Sequence, residues 1–375
     1  MRRIIVSTLL LVCACACVAT QRSNAATMTP LLSFGGGDGW LAPGEGGYTF
    51  LGTGNNERGL AYGNGHVYLV SRTGGTNVRI LNPTTGADLG GLNVTGVSGG
   101  TFTLSAAGVG GDGAIYAANL TTQSTTTPFT VYKWATEASA PTVAYTGDGG
   151  LAASRAGDDL AVTGSGSGTR IAAGYNSTPN VAGNNGYSII DPTAGTATAI
   201  AFAGTPPNAG DLRLGLTFVD ATHVLGTAGS SLYRNTSYSG STGTLINSPA
   251  IPDPSGATAD RLLGYTTFGG MSILAIQSIG DSHVSIYDAS NPAAPVYLAS
   301  GLNVTGTPAA NGNGTGQIAW GAITNNADGS VSRVLYAMST NQGIQAFIVT
   351  VPEPATLSLV GLLSVCGLSV RRRIG

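Results

Sequence analysis

Three histidines, His66, His223 and His283, supply all the imidazoles of the chain. Each stands just before a β-branched residue, in Gly65-His66-Val67, Thr222-His223-Val224 and Ser282-His283-Val284, so each is expected where a strand opens. No two share the spacing of a metal-binding pair. Lactone hydrolysis at a calcium cage would need carboxylates and amides around a His base, and spacing alone assembles none. Paired carboxylates for sugar hydrolysis would come from Asp158, Asp159, Glu45, Glu57 or Glu137. Asp158 and Asp159 follow Gly157 and precede Leu-Ala-Val162, the pattern of a tight turn before a strand. Asp112, Asp148, Asp281 and Asp328 stand beside Gly or in similar turns, where Asx turns account for them. Gly164-Ser-Gly-Ser-Gly168 carries Gly where a nucleophile elbow needs Ser, and reads as a loop. No Asp-x-Asp-x-Asp-Gly calcium loop is present. The expectation is no catalytic residue, no metal ligand and no cofactor. Binding is the better-supported chemistry. Trp40, Trp134, Trp320, Tyr175, Tyr187 and Tyr238 could stack on sugar rings, although most are expected to pack in the interior.

The elements that would position such groups must be β-strands. The chain has 375 residues, 58 of them Gly, and is 42% hydrophobic. Interior Gly at this density opposes helices, and the apolar content is enough for a large core. No Gly-X-Y period points to collagen. Six of the 16 basic residues lie at the ends, at Arg2, Arg3, Arg22, Arg371, Arg372 and Arg373. Residues 26–354 therefore carry ten basic against eighteen acidic side chains, or −8. Such a body repels phosphate backbones, so nucleic acid is not an expected partner. Cys13, Cys15, Cys17 and Cys366 all sit in the terminal apolar runs, which leaves the body without disulfide, thiolate or Cys nucleophile.

The two ends read as addresses. Arg2 and Arg3 precede the apolar run Ile4 to Ala19, and the small residues Ser23 and Ala25 fit a cleavage pattern. Residues 1–25 are expected to be a secretory signal peptide cut after Ala25 or Ala26. At the other end Val351-Pro352-Glu353-Pro354 is followed by an apolar stretch, Ala355 to Val370, and by Arg371-Arg372-Arg373. As a helix the stretch spans about 24 Å, short of a bilayer core of about 30 Å, a gap that snorkelling arginines can close. The triple Arg places the C-terminus on the cytoplasmic side and the body outside that membrane. Residues 351–375 resemble the PEP-CTERM sorting signal in motif, spacing and order. That resemblance implies a Gram-negative bacterium making extracellular polysaccharide, export by the general secretion machinery, transient anchoring by the C-terminal helix, and recognition of Pro352, Glu353 and Pro354 by an exosortase-type membrane protease. It places the mature body at the outer surface or outside the cell.

Between the ends one unit recurs: a strand, an Asx-Pro or Gly turn, and a short second strand. It starts at 78, 131, 187, 232, 284 and 344. Val78-Arg-Ile-Leu-Asn-Pro-Thr-Thr-Gly86 and Tyr187-Ser-Ile-Ile-Asp-Pro-Thr-Ala-Gly195 are its clearest copies. Gly-Leu-Asn-Val-Thr-Gly follows the unit twice, at 91–96 and 301–306. Another strand pair precedes each unit. Four strands per roughly fifty residues, repeated six times, is the signature of a β-propeller over residues 26–350. A seventh blade has room in 27–58 or 196–230. The last unit lacks an outermost strand, which Leu31–Phe34 or Tyr48–Leu51 is expected to supply and so close the ring. The runner-up folds are paired β-sandwiches or a β-helix. Arg58-Gly-Leu-Ala-Tyr62 and Gly108-Val-Gly-Gly-Asp-Gly-Ala-Ile-Tyr116 are similar to secreted bacterial propellers of the broad lactonase and quinoprotein type, whose members range from hydrolases to binding modules. The expected function is a non-catalytic, surface-sorted propeller with a binding or structural role in the envelope or extracellular polysaccharide. The alternative is a propeller hydrolase or lyase, recognisable by His66, His223 or His283 gathered with carboxylates in one central funnel.

Overall fold

Asn82 and Asp191 open two matching turns. The Asn82 Oδ1 accepts the N–H groups of Thr84 and Thr85 at 2.8 and 3.0 Å, and the Asp191 Oδ1 accepts those of Thr193 and Ala194 at 2.9 and 3.0 Å. Gly86 and Gly195 then donate to the Asn82 and Asp191 carbonyls at 2.8 and 2.9 Å. Their φ values of 75° and 67° suit Gly alone without strain. Each turn joins the third strand of a sheet to its fourth, so the recurring unit of the sequence is the outer half of a blade.

The computed structural model describes residues 26–177, 185–202, 211–228, 232–251, 256 and 259–352. They form six sheets. Blade 1 comprises Gly59–Gly63, His66–Ser71, Asn77–Leu81 and Asp88–Gly91, and blade 2 Phe102–Val109, Ile115–Leu120, Phe129–Trp134 and Thr142–Gly147. Blade 3 comprises Ser154–Thr163, Arg170–Ser177, Asn185–Asp191 and Thr196–Ala199. Blade 4 comprises Leu216–Phe218, His223–Ala228, Leu232–Ser239 and Thr242–Asn247, with Ala201–Phe202 added parallel at its outer edge. Blade 5 comprises Asp260–Phe268, Met271–Ser278, Val284–Asp288 and Val296–Gly301. Blade 6 comprises Gly316–Asn325, Val331–Ser339 and Ile344–Val351, with N-terminal residues outermost. The first strand of every blade packs on the first strand of the next, and Gly316–Asn325 returns to Gly59–Gly63. The result is a six-bladed β-propeller around a central channel. Residues 196–199 complete blade 3, 201–202 join blade 4 and 216–228 begin it, and residues 35–37 and 45–47 form short 3-10 turns, so among the described residues neither stretch holds a seventh blade.

The ring closes through both ends of the body, but not with the expected strand. Thr27–Pro30 pairs antiparallel with the last strand, Thr27 opposite Thr350 and Pro30 opposite Phe347. Trp40–Leu41 continues the edge, with Trp40 opposite Gln345. Leu31 adds one bond, its N–H donating to the Ala346 carbonyl at 2.9 Å, but the chain then turns within Leu31–Phe34, where the Phe34 N–H donates to the Leu31 carbonyl at 2.9 Å. Phe34 and Leu51 instead enter the core under blades 1 and 6.

Close approach of the blades accounts for part of the Gly, and turns at positive φ for more of it. A Cβ on Gly108 would stand 2.4 Å from Val162 Cγ2, and one on Gly215 1.7 Å from the Arg261 carbonyl oxygen. Large side chains fill the wedges further out. One fully buried tyrosine serves each blade: Tyr68, Tyr116, Tyr187, Tyr233, Tyr287 and Tyr336. Burying a side chain of this size stabilises by roughly 1.5–3 kcal/mol. The repeated hexapeptide follows a fourth strand both times. The Trp134 Nε1–H donates to the Asn93 carbonyl at 2.7 Å, and the Asn303 amide donates to the Gly39 and Ala346 carbonyls at 2.9 and 3.1 Å.

Ala26 is buried beside Phe268 and Val351. Val351 is the last strand residue, opposite Val331. Ala25 and the rest of residues 1–25, together with Glu353, Pro354, the apolar stretch and Arg371–Arg373, lie outside the described residues. Among the described residues no helix is long and apolar enough to cross a membrane.

Candidate functional site: the central channel

Every first strand runs from one rim of the channel, the N-rim, to the other, the C-rim. At the N-rim the strand of blade 3 bulges between Ala156 and Leu160. Asp158 and Asp159, expected in a tight turn before this strand, are buried within it. The bulge turns the two carboxyls toward different partners. Asp158 faces three arginines from different stretches of chain: Arg58 Nη2 at 2.9 Å, Arg155 Nε at 2.6 Å, and Arg213 Nη1. Burial pushes the Asp158 carboxyl up, but the Arg155 hydrogen bond and the charges of Arg213, Arg155 and Arg58 together hold it below the ordinary carboxylate range. Arg58 is also buried and donates through Nε to Ser105 at 2.9 Å. Burial lowers its guanidinium to about 10 against the opposing pull of Asp158. Glu57 beside it is buried and accepts the Asn341 N–H at 2.7 Å.

Below this cluster two side chains plug the channel. The Asp159 carboxylate accepts the Leu160 N–H at 2.7 Å and, across to blade 4, the Leu216 N–H at 2.8 Å. Burial pushes its carboxyl up to about 7, against those donors and Gln317. Gln317 enters from blade 6. Its Oε1 accepts the N–H groups of Leu60 and Ala107 at 3.0 and 2.9 Å. Its Nε2 donates to the carbonyls of Ala107 and Leu160 at 3.0 and 2.8 Å. One amide thus ties the first strands of blades 1, 2, 3 and 6.

From the plug to the C-rim the channel holds a cavity of about 400 Å3, lined by first-strand residues of all six blades. Small residues such as Ala61, Gly108, Ala161 and Gly264 make the room. Tyr62, Tyr265, Trp320, Thr217, Thr266 and Arg333 supply rings, hydroxyls and one positive charge. Tyr62 stacks on Tyr336 at 5.9 Å between ring centroids.

The histidines do not gather there. His66 pairs with Glu137 at 2.7 Å, His223 with Asp220 at 3.2 Å and His283 with Asp281 at 3.1 Å, each outside the cavity lining. Glu45 accepts the Ala42 N–H at 2.8 Å in a local turn. Asp112, Asp148 and Asp328 hold turns, as their spacing implies, by accepting the N–H groups of Ala114, Gly150 and Ser330. Among the described residues no group of three or more His, Cys, Asp or Glu side chains could hold a metal. Of the six candidate aromatics, Trp134, Tyr175 and Tyr187 are buried, Trp40 donates to the Gln342 carbonyl, Tyr238 packs edge-on to Tyr187, and Trp320 lines the cavity. Sequence reasoning passed over Gln317 and Arg333. Gln317 finds its partners only when the ring closes, and Arg333 finds Thr266 only on the neighbouring blade.

No curated protein matches the chain. Among solved structures, a DUF4623 family protein from Bacteroides eggerthii superposes with a TM-score of 0.59 at 18% identity, over 80% of this chain and 71% of that one. A periplasmic gluconolactonase from Pseudomonas aeruginosa gives 0.43 at 13% identity, over 79% and 86%. An α-L-arabinofuranosidase from Fusarium graminearum gives 0.47 at 10% identity, over 79% and 93%. The first of these shows the fold. The model of a family described as a domain of unknown function, DUF4623, matches residues 48–214, from the approach to blade 1 through blade 3.

Proposed function

We propose that this protein is an exported, non-catalytic propeller that binds a small polar ligand in the C-rim half of its channel, within the envelope or the extracellular polysaccharide. The cavity carries the reading. Its volume of about 400 Å3 falls in the range of small-molecule sites, and its wall combines Tyr62, Tyr265 and Trp320 with hydroxyls. Rings beside hydroxyls suit a sugar, which offers both an apolar face and polar edges. In this reading residues 1–25 direct secretion. Residues 351–375, with Pro352-Glu353-Pro354 and Arg371–Arg373, deliver the body to an exosortase-type protease.

One observation favours the alternative of a hydrolase or lyase. Asp159 lies in the cavity wall with a carboxyl that exchanges its proton near neutrality. Both its oxygens, however, accept backbone N–H groups, which suits a strut better than a proton-transfer group.

The test is a panel of monosaccharides, short oligosaccharides and lactones, read by tryptophan fluorescence and by product release, with and without Ca2+. Saturable binding without turnover supports the reading. Turnover lost in Asp159→Asn would establish the enzyme instead.

A further inference from the structure

We infer that the channel ligand carries a carboxylate, as an acidic sugar does, and that Arg333 and the Trp320 indole N–H are the groups that receive it. The inference rests on the reading of the channel as a binding site and specifies its ligand class. Arg333 reaches from the second strand of blade 6 into the cavity wall. Its Nε donates to the Gly321 carbonyl at 2.9 Å, and its Nη1 donates to Thr266 Oγ1 on blade 5. Both acceptors are neutral, and among the described residues Arg333 forms no ion pair. Burial depresses this guanidinium, so its charge lies in a partly desolvated place without an anion beside it. Trp320 shows the same deficit. The residue is nine-tenths buried, and its Nε1–H, itself buried, has no acceptor, so a carboxylate in the cavity meets it only when the indole turns toward the channel. That nitrogen lies beside Gly264, where a Cβ would stand 3.3 Å away.

A buried donor without an acceptor is uncommon in a folded protein and marks a place where a ligand atom can serve. The carboxylate in the wall does not fill the role. Asp159 lies at the plugged end with both oxygens engaged. Thr266 is engaged by Arg333 as acceptor, and Thr217 Oγ1 accepts the Tyr265 N–H at 3.2 Å. The wall thus offers one cation and spare donors, which an oxyanion complements and a neutral hydroxyl complements less well. The −8 balance of the body does not oppose this. Its exposed charges are screened beyond about 8 Å at physiological salt, whereas a desolvated guanidinium acts at contact.

The experiment is calorimetric titration of the body, residues 26–352, with D-glucuronate, D-glucose and inorganic phosphate. Wild type, Arg333→Gln, Arg333→Lys and Trp320→Phe are compared, each with its melting curve. Glucuronate should bind about tenfold or more tighter than glucose, as expected of a charge-assisted contact. Arg333→Gln should erase that preference and Arg333→Lys should restore part of it. Trp320→Phe, which keeps the ring but loses the donor, should weaken glucuronate more than glucose. Equal binding of glucuronate and glucose overturns the carboxylate and leaves the channel reading standing. Phosphate binding as tightly as glucuronate makes this a general anion site and also overturns it. Binding of none of the three overturns both.

Discussion

Gln317 and Leu160 lie 157 residues apart, yet the Gln317 Nε2 donates to the Leu160 carbonyl at 2.8 Å across the axis of the channel. The same amide holds Leu60 and Ala107. Four strands that never pair in one sheet are joined at one buried side chain. Gln317→Leu should keep the volume and strand the backbone groups of Leu60, Ala107 and Leu160. Each buried orphan costs about 1–3 kcal/mol, so a loss of about 3 kcal/mol in urea unfolding is expected, water from the cavity serving some of them. A change below about 0.5 kcal/mol, the range of ordinary surface substitutions, would show that the amide is not a tie.

Asp158 pairs with three arginines while fully buried. Asp158→Asn should cost about 3–5 kcal/mol, because it leaves like charges facing one another without an anion. The pH dependence has a definite sign. The carboxyl is held below its ordinary value of 3.8, so its contribution is complete above that pH and is lost as pH falls through the depressed folded value. Acid unfolding should begin below about pH 4 in the wild type, and Asp158→Asn should flatten that limb of the curve.

Asp159 acts in the opposite direction. Its carboxyl is raised from 3.8 to about 7, so the folded state holds a proton that the unfolded chain releases between those values. Stability should fall as pH rises from about 4 to 7, by on the order of 4 kcal/mol over the window. Asp159→Asn should remove this decline even though the variant is less stable overall. Denaturation midpoints across pH 4–8 decide the matter, and a wild-type midpoint that rises through this window would contradict the assignment.

The third strand of every blade was legible in the sequence. The six starts at 78, 131, 187, 232, 284 and 344 all fall in third strands, because Asx-Pro and Gly turns and alternating side chains are local signals. The channel was not legible. Its wall comes from first strands, where Ala61, Gly108, Ala161 and Gly264 are chosen for smallness and leave no motif. Asp158 and Asp159 looked like a turn because a bulge and a turn share the same local residues. What distinguishes them is Arg58, a hundred residues away. The closing strand was placed a few residues too late, since Thr27–Pro30 is only four residues long and has little apolar character of its own.

That strand makes a prediction about the N-terminus. Ala26 is 2% exposed against Phe268 and Val351. Deleting residues 26–30 uncovers the edge of Ile344–Val351 and should lower the melting temperature by about 5 °C or more and promote association. If the chain is exported and cut after Ala25 or Ala26, as proposed, the mature protein should keep this strand and begin no later than Thr27, as read by mass spectrometry. A mature start at Thr29 or beyond with an unchanged melting temperature would refute the role of this strand.

Val351 ends its strand at the C-rim, where a Cβ on Gly269 would stand 3.1 Å from it. The cavity reaches the same rim, and Thr27, opposite Thr350, starts there too. Were the C-terminal segment fixed at a surface, as proposed, the C-rim opening of the cavity would lie on the side of the attachment and the arginine-rich N-rim on the far side. A protein held by residues beyond Pro352 at a bilayer would present the mouth to the lipid head groups, shielded from bulky ligands. In that arrangement, cutting the tether would free the ring to tumble and uncover its C-rim as well as release it.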